Sequence, residues 1–355
     1  MAFKKIDIQN DVGLSTGANK INETFDFFGD AVGKDGGHPK SPGILDSLRR
    51  SVEAGSGGRM TVFYTDKGQP SYFVRQPKFL CENIAPGGEL GNGVHEAFVF
   101  PDGSGGTVED AEIWVGAYQA AVIDGEAVSQ PGLAPEVNID YDESRSACQA
   151  AGSGFDLMTT WDWAAIALWC MANGFQPRGN TDWGRHHDKR WETAPRLDAG
   201  TPGVSSGNGK TLTGTGPDHW RHDGTMAGIS DLVGNVWEWV GGLKIQDGNV
   251  LLADTNGVWD EATYTDTGFA ISAAKPWSSL DATGAGDALK RSLTVPNGAQ
   301  DPEGRLYVNG SGERLPGRGG SSSSAGYAGL GALTLYDSRG ARYSSFGFRP
   351  RFRNP

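Results

Sequence analysis

The chain is 355 residues long, with 54 glycines, 18 prolines, 11 tryptophans and a formal net charge of −12. Glycine without a three-residue period excludes collagen, abundant aromatics exclude disorder, and glycine at this density breaks coiled-coil heptads. The acidic balance argues against nucleic acid as the partner, and the length suits one large domain with an appendage.

Residues 1–57 are polar and close on Gly55-Ser56-Gly57-Gly58, which predicts a small N-terminal adapter segment and linker ahead of a domain over 58–355. The first residues include Lys4 and Lys5 but no apolar run, so no signal peptide is expected. The most apolar stretch, 163–172, is far shorter than the roughly 20 residues of a membrane span, so no membrane insertion is expected. Strand-like runs follow at 60–64, 71–74, 97–100 and 113–118.

Asp140 with Glu143 forms a capping-box pattern ahead of a helix over 144–151, which Gly152 can end. Thr160 is placed to cap a second helix over 161–173, apolar nearly all round through Trp163, Ile166, Leu168, Trp169 and Met171, and therefore buried. From 174 to 228 the chain reads as polar loop. Loops of that length are functional or pinned by side chains, and Trp183, Trp191 and Trp220 are the available pins.

Several short motifs fail on context. Gly203-Val204-Ser205-Ser206-Gly207 has the spacing of a hydrolase elbow, but its flanks supply neither the strand nor the helix that would strain the turn. Gly209-Lys210-Thr211 lacks the upstream glycine of a phosphate loop, because Val204 stands there. Four histidines (His186, His187, His219, His222) sit in the long loop without carboxylate or thiolate at ligand spacing, and are expected to hydrogen-bond or face solvent. Cys81, Cys148 and Cys170 are expected as buried free thiols, with a Cys148–Cys170 pair as the alternative.

Two stretches are richer. In the first, 228–240, alternation puts Trp237 and Trp239 on one strand face and Glu238 on the other. It reads either as a core strand entered through a Gly-Asn turn or as an oxygen cluster for a hard cation. In the second, 317–345, seven glycines, seven serines, four alanines and three tyrosines stand together. A strand-like 332–336 and a closing Phe346-Gly347-Phe348 make a flexible linker a poor reading. Tyr, Ser, Gly, Asp and Arg on a rigid frame is the composition of a paratope, with an ordinary surface loop as the alternative.

Gly234-Asn235-Val236-Trp237-Glu238-Trp239, Arg318-Gly319-Gly320 and Gly347-Phe348-Arg349 resemble the formylglycine-generating-enzyme type of the C-type lectin fold. Supporting matches are 113–118, the helix bearing Cys148, 157–159 and Gly179-Asn180-Thr181, so the likeness covers roughly 60–355. It implies an α+β chain of the C-type lectin-like fold, formylglycine-generating-enzyme subtype, with short strands, two main helices and long ordered loops. Enzymatic members use a copper-binding cysteine pair near the C-terminus, and no cysteine follows Cys170 here. A thiolate mechanism without thiolates cannot operate.

The variable proteins of diversity-generating retroelements are the branch this chain resembles more. There the Arg-Gly-Gly stretch opens a variable region and Gly-Phe-Arg closes it, which places that region at about 317–349. Ser322 stands where the family often has Trp, and no Asn occurs between Arg318 and Arg353; both departures are compatible with a mutated copy. The resemblance implies a fixed framework of Gly319, Gly320, Ala328, Gly329, Leu333, Leu335, Phe346 and Phe348. It implies a displayed set of Ser323, Ser324, Tyr327, Thr334, Tyr336, Asp337, Ala341, Tyr343, Ser344 and Ser345.

The expected function is non-enzymatic binding of a cell-surface protein or glycan. A formylglycine-generating-type oxidoreductase and a structural virion component, such as part of a tail fibre, are the alternatives. No cofactor is required. Relatives with metal sites place calcium at positions that map to Asp231, the Gly234 and Val236 carbonyls, and Glu238. Localisation stays open, with cytoplasmic assembly onto a virion surface as one route to an external role. Residues 301–355 carry eight Arg against four acids, a balance of +4, so the partner's charge is expected to answer to a basic tail.

Overall fold

A computed structural model describes residues 42–271 and 273–354. Most of the expected adapter, residues 1–41, lies outside them. The remainder is a helix, Pro42–Ser56, held to the first strand: Thr61 Oγ1 donates to Glu53 Oε1 at 2.6 Å, and Met60 N donates to Ser56 Oγ at 3.0 Å. Gly57 and Gly58, both at positive φ, form a tight turn between them rather than a linker.

The architecture is mixed α and β, with few helices and two main sheets. The first sheet runs in the order Met60–Tyr64, Pro70–Pro77, Glu112–Gly116, Pro350–Phe352, Phe155–Leu157. The second is larger. It is built around Glu313–Arg318, which pairs antiparallel with Leu333–Asp337 on one side and with Leu243–Gln246 and Trp237–Trp239 on the other. Phe346–Phe348 joins that sheet parallel to Trp237–Trp239, and two residues later Pro350–Phe352 enters the middle of the first sheet. Arg349 is therefore the residue at which the chain crosses from one sheet to the other.

Local signals explain the helices. The capping box at Asp140 and Glu143 starts Tyr141–Ala150 three residues before the expected onset, and Gly152 at φ 120° follows its end. The tryptophan helix, Thr160–Ala172, is capped by Thr159 rather than Thr160, because Asp162 returns the second half of the box. It is buried on all sides except near its C-terminus, as an apolar circumference requires. The expected strand 97–100 is half turn and half strand. His95 Nδ1 accepts from Ala97 N at 3.1 Å and winds Glu96–Phe98 into a 3-10 turn before Val99–Pro101. All three cysteines are buried and free. Among the described residues no helix is long and apolar enough to cross a membrane.

Candidate functional site

The tail leaves the second sheet at Arg318, makes an excursion over 319–332, returns along Leu333–Asp337, loops out again and closes through Phe346–Phe348. Gly319 has φ 87°, and a Cβ there would lie 2.4 Å from the Leu232 carbonyl oxygen, so only glycine fits. Every residue of the expected framework is buried: Gly319, Gly320, Ala328, Gly329, Leu333, Leu335, Phe346 and Phe348. Arg318, also buried, donates to the Ser292 and Leu293 carbonyls at 2.8 and 2.9 Å; with no carboxylate partner, burial lowers its pKa to about 9.

Between these fixed points the tail is open. Tyr327, Tyr336 and Tyr343 are 50 %, 55 % and 47 % exposed. Ser323 and Ser344 are exposed too, while Ser324, Ala341 and Ser345 are half-buried. Two expected display positions are not displayed: Thr334 and Asp337 are only 4 % and 8 % exposed. The reason is a register shift. Gly317 faces Thr334 and Leu315 faces Asp337, two steps on one strand against three on the other. The extra residue breaks the alternation and brings Thr334 and Asp337 together, with Thr334 Oγ1 donating to Asp337 Oδ2 at 3.4 Å. They form the floor of a shallow hollow of about 280 Å³, walled by Trp237, Tyr307, Tyr336 and Phe346 with Ser324 at its edge. Burial raises the Asp337 carboxyl above its ordinary range, against the opposing pull of the Tyr343 hydroxyl, which donates to it.

The long polar loop holds this face in place. Trp183 N donates to Ser322 O at 2.7 Å, and Ala325 N donates to Thr181 O at 2.9 Å. Asn235 is the hub. Its backbone N donates to Asn180 O, its carbonyl accepts from Ser322 N at 3.0 Å, and its side chain joins Thr211 and Gln119. Of the tryptophans expected as pins, Trp220 is buried and donates to Glu192 Oε2 at 3.1 Å, whereas Trp191 is exposed and pins nothing inward. His222 is a hydrogen-bonding group: its Nδ1 accepts from Ile229 N at 2.8 Å, and burial lowers its pKa to about 4. Burial likewise lowers His186 to about 4.

The positions expected to hold calcium do converge, but on nitrogen. The carbonyls of Asp231, Gly234 and Val236 and the Glu238 Oε1 atom lie 3.0, 3.4, 3.2 and 3.0 Å from Gln119 Nε2. Asn235 Nδ2 donates to Gln119 Oε1 at 2.9 Å, which fixes the amide with its NH₂ inward. Glu238 is also gripped by Arg349, Nε to Oε2 at 2.9 Å and Nη2 to Oε1 at 2.7 Å, and the Asp231 carboxylate turns away to accept from Gly214 N. Calcium takes 6–8 oxygens at about 2.3–2.6 Å. Here an amide occupies the centre of the oxygen cage and a guanidinium already neutralises its one available carboxylate. As arranged, these residues do not fit the ion: the positions expected for calcium, Asp231, Gly234, Val236 and Glu238, form a buried polar cage around Gln119. Among the described residues no cluster of three or more His, Cys, Asp or Glu side chains is arranged for a metal.

Four arginines of the basic tail make close ion pairs. Arg339 is bound to Asp142, Glu261 and Glu313; Arg342 to Asp140 and Glu143; Arg349 to Glu238; and Arg353 to Asp110. Much of the positive charge is thereby paired, and the only charged side chain lining the hollow is Asp337, with Arg305 and Arg314 nearby but outside the lining. The Gly203–Gly207 motif likewise has a structural purpose, with the Thr201, Val204 and Ser206 carbonyls wrapped round the Arg196 guanidinium.

No family model matches the chain, and no curated protein matches it. Among solved structures it is similar to Treponema denticola variable protein 1, with 15 % identity over 83 % of this chain and 99 % of that one and a TM-score of 0.37. PvdO from Pseudomonas aeruginosa shows 13 % identity over 83 % and 98 %, with a TM-score of 0.36. The U1 variant of the Major Tropism Determinant shows 13 % identity over 82 % and 70 %, with a TM-score of 0.31. The first and third are variable proteins of diversity-generating retroelements with a C-type lectin fold. At such identity the functional reading rests on the geometry of this chain.

Proposed function

We propose that the protein is a non-enzymatic binding protein that displays exchangeable side chains on a C-type lectin-like scaffold of the formylglycine-generating-enzyme subtype, with 317–349 as its variable region. One observation carries this: within that stretch, buried framework residues alternate with exposed Tyr and Ser that no packing requires. The mechanism is preorganisation. Backbone bonds from the long loop hold the face, so its side chains change without the fold losing its contacts, and little ordering cost falls on binding. The partner class is a cell-surface protein or glycan.

The oxidoreductase reading finds no support in the thiols. Cys81, Cys148 and Cys170 lie in the core, and burial raises all three pKa values, that of Cys81 to about 11. A purely structural virion role gives no reason for three half-exposed tyrosines on one rigid face.

A display library tests the proposal. Randomising Ser323, Tyr327, Tyr336, Tyr343 and Ser344 together should leave most clones as protease-resistant as the parent. Randomising Leu333, Leu335, Phe346 and Phe348 should destroy resistance in nearly all. Equal losses in the two libraries would sink the idea. Neighbouring DNA carrying a reverse transcriptase and a near-copy of the 3′ end, altered mainly at adenines, is the independent check.

A further inference from the structure

The hollow beside Leu333–Asp337 has a definite chemical character. Its walls are the rings of Trp237, Tyr307, Tyr336 and Phe346, and its floor holds the Asp337 carboxylate, 8 % exposed. No ion pair joins Asp337 to another described residue; its donors are the hydroxyls of Thr334 and Tyr343. The lining carries no amide, imidazole or cationic side chain. It offers a carboxylate and the negative faces of aromatic rings, with hydroxyls as its only side-chain donors apart from the Trp237 indole N–H. Arg314 acts on Asp337 only through space, and Arg305 stands outside the lining, stacked over Tyr307 and Tyr327 at 5.5 and 5.0 Å. That stacking shows the tyrosines of this face already holding one guanidinium.

Resting on the display reading above, we propose that this hollow is the anchor of the binding face and takes a cationic side chain, Lys or Arg, projecting from a protein partner. The charge sits against Asp337, and the alkyl stem or guanidinium plane lies along Tyr336 and Trp237. A sugar satisfies this lining less well. Its hydroxyls need donors as well as acceptors, and here one of the few donor hydroxyls, that of Thr334, is already turned onto Asp337. A cation needs only acceptors and π faces, and desolvation in a part-buried site strengthens both.

The test uses the full chain and three probes followed by saturation-transfer NMR: acetyl-Gly-Arg-Gly-amide, its citrulline counterpart and methyl α-mannoside. Citrulline keeps the shape of arginine and loses the charge. The arginine peptide should bind at least about tenfold more tightly than the citrulline peptide. Asp337→Asn should abolish that difference, and Tyr336→Leu, at a half-exposed position, should weaken arginine binding several-fold; both should melt with the parent. Because Asp337→Asn changes only one charge in a strongly acidic protein, its loss separates the hollow from general attraction. Equal binding of the arginine and citrulline peptides, no effect of Asp337→Asn, or mannoside binding that outcompetes the arginine peptide overturns the proposal. In each of those cases the display reading stands or falls separately, on whether the randomised face still folds.

Discussion

Glu238 and Asp337 flank the same strand, Glu313–Arg318, one on each side, and the protein treats the two carboxylates in opposite ways. Glu238 is fully buried with both carboxylate oxygens bonded: a bidentate Arg349 guanidinium reaches Oε1 and Oε2, and the Gln119 amide reaches Oε1. Asp337 is nearly as buried but has only hydroxyl donors and opens onto a hollow. The contrast separates scaffold from site. One carboxylate ties the two sheets through Arg349, while the other is left with capacity to spend on something outside the chain.

The largest effect should come from breaking the first of these. Arg349 also donates to the Gly116 and Ser230 carbonyls, so it reaches both sheets and the loop before Trp237–Trp239. Arg349→Met leaves Glu238 as an uncompensated buried charge, a loss of about 3–5 kcal/mol. Asp337→Asn should cost less than about 1 kcal/mol, because it removes no ion pair. Denaturant unfolding of the two variants decides the matter, and comparable losses would erase the difference between the two carboxylates.

An intermediate effect should appear on acidification. His222 is neutral in the fold with its pKa lowered to about 4, against 6.5 for an exposed histidine. Between those values the unfolded chain binds a proton that the folded chain refuses, so stability rises with pH across that window and falls as pH is lowered through it. From pH 6.5 to 4.5 this amounts to on the order of 2 kcal/mol. Asp337, raised by burial, works in the opposite direction: its contribution is fullest below the usual aspartate range and is lost as pH rises through its folded value. Unfolding measured against pH should therefore show a net decline below 6.5 that His222→Gln makes shallower, the remainder belonging to His186, whose pKa burial also lowers to about 4; a flat parent profile would refute it. His222 sits in the long polar loop, its ring tilted 40° against Trp169 at 5.6 Å, and it holds Ile229 near the start of the cage.

Much of this contrast was legible in the sequence, and the unreadable parts share a cause. The capping boxes, the Trp237–Trp239 strand and the buried framework of Gly, Leu and Phe are local patterns, and they appear within a few residues of where the chain places them. The cage is not local. Gln119, the 231–238 turn and Arg349 are more than 100 residues apart in the chain, and only the fold reveals that an amide fills the space between the oxygens. A lone Gln within Ala117-Tyr118-Gln119-Ala120-Ala121 was the available hint, a polar residue in an apolar run. Thr334 and Asp337 are recessed into the hollow rather than displayed for a subtler reason: a register shift against Glu313–Arg318 cannot be seen in either strand alone. Tyr307 was missed because it reaches the hollow from a parallel strand outside the tail motif, where it pairs with Thr334.

The smallest expected effect is also the sharpest statement about the cage. A ligand present at 100 times its dissociation constant raises stability by about 2.7 kcal/mol, so a genuine calcium site would announce itself in a melt at millimolar calcium. Here the ion would have to expel Gln119 from four oxygens and settle beside the Arg349 guanidinium, losing two sets of bonds and gaining a like charge as neighbour. Melting temperature should therefore move by less than about 1 °C between calcium and chelator, well under the shift that a single kcal/mol produces in a domain of this size. Gln119→Ala supplies the contrast: it should destabilise the protein by about 1–3 kcal/mol, because it strips buried carbonyls of their donor. A calcium-dependent rise in the parent protein would mean that the amide yields to the ion, and Glu238 would then belong with Asp337 among the carboxylates that wait for a partner.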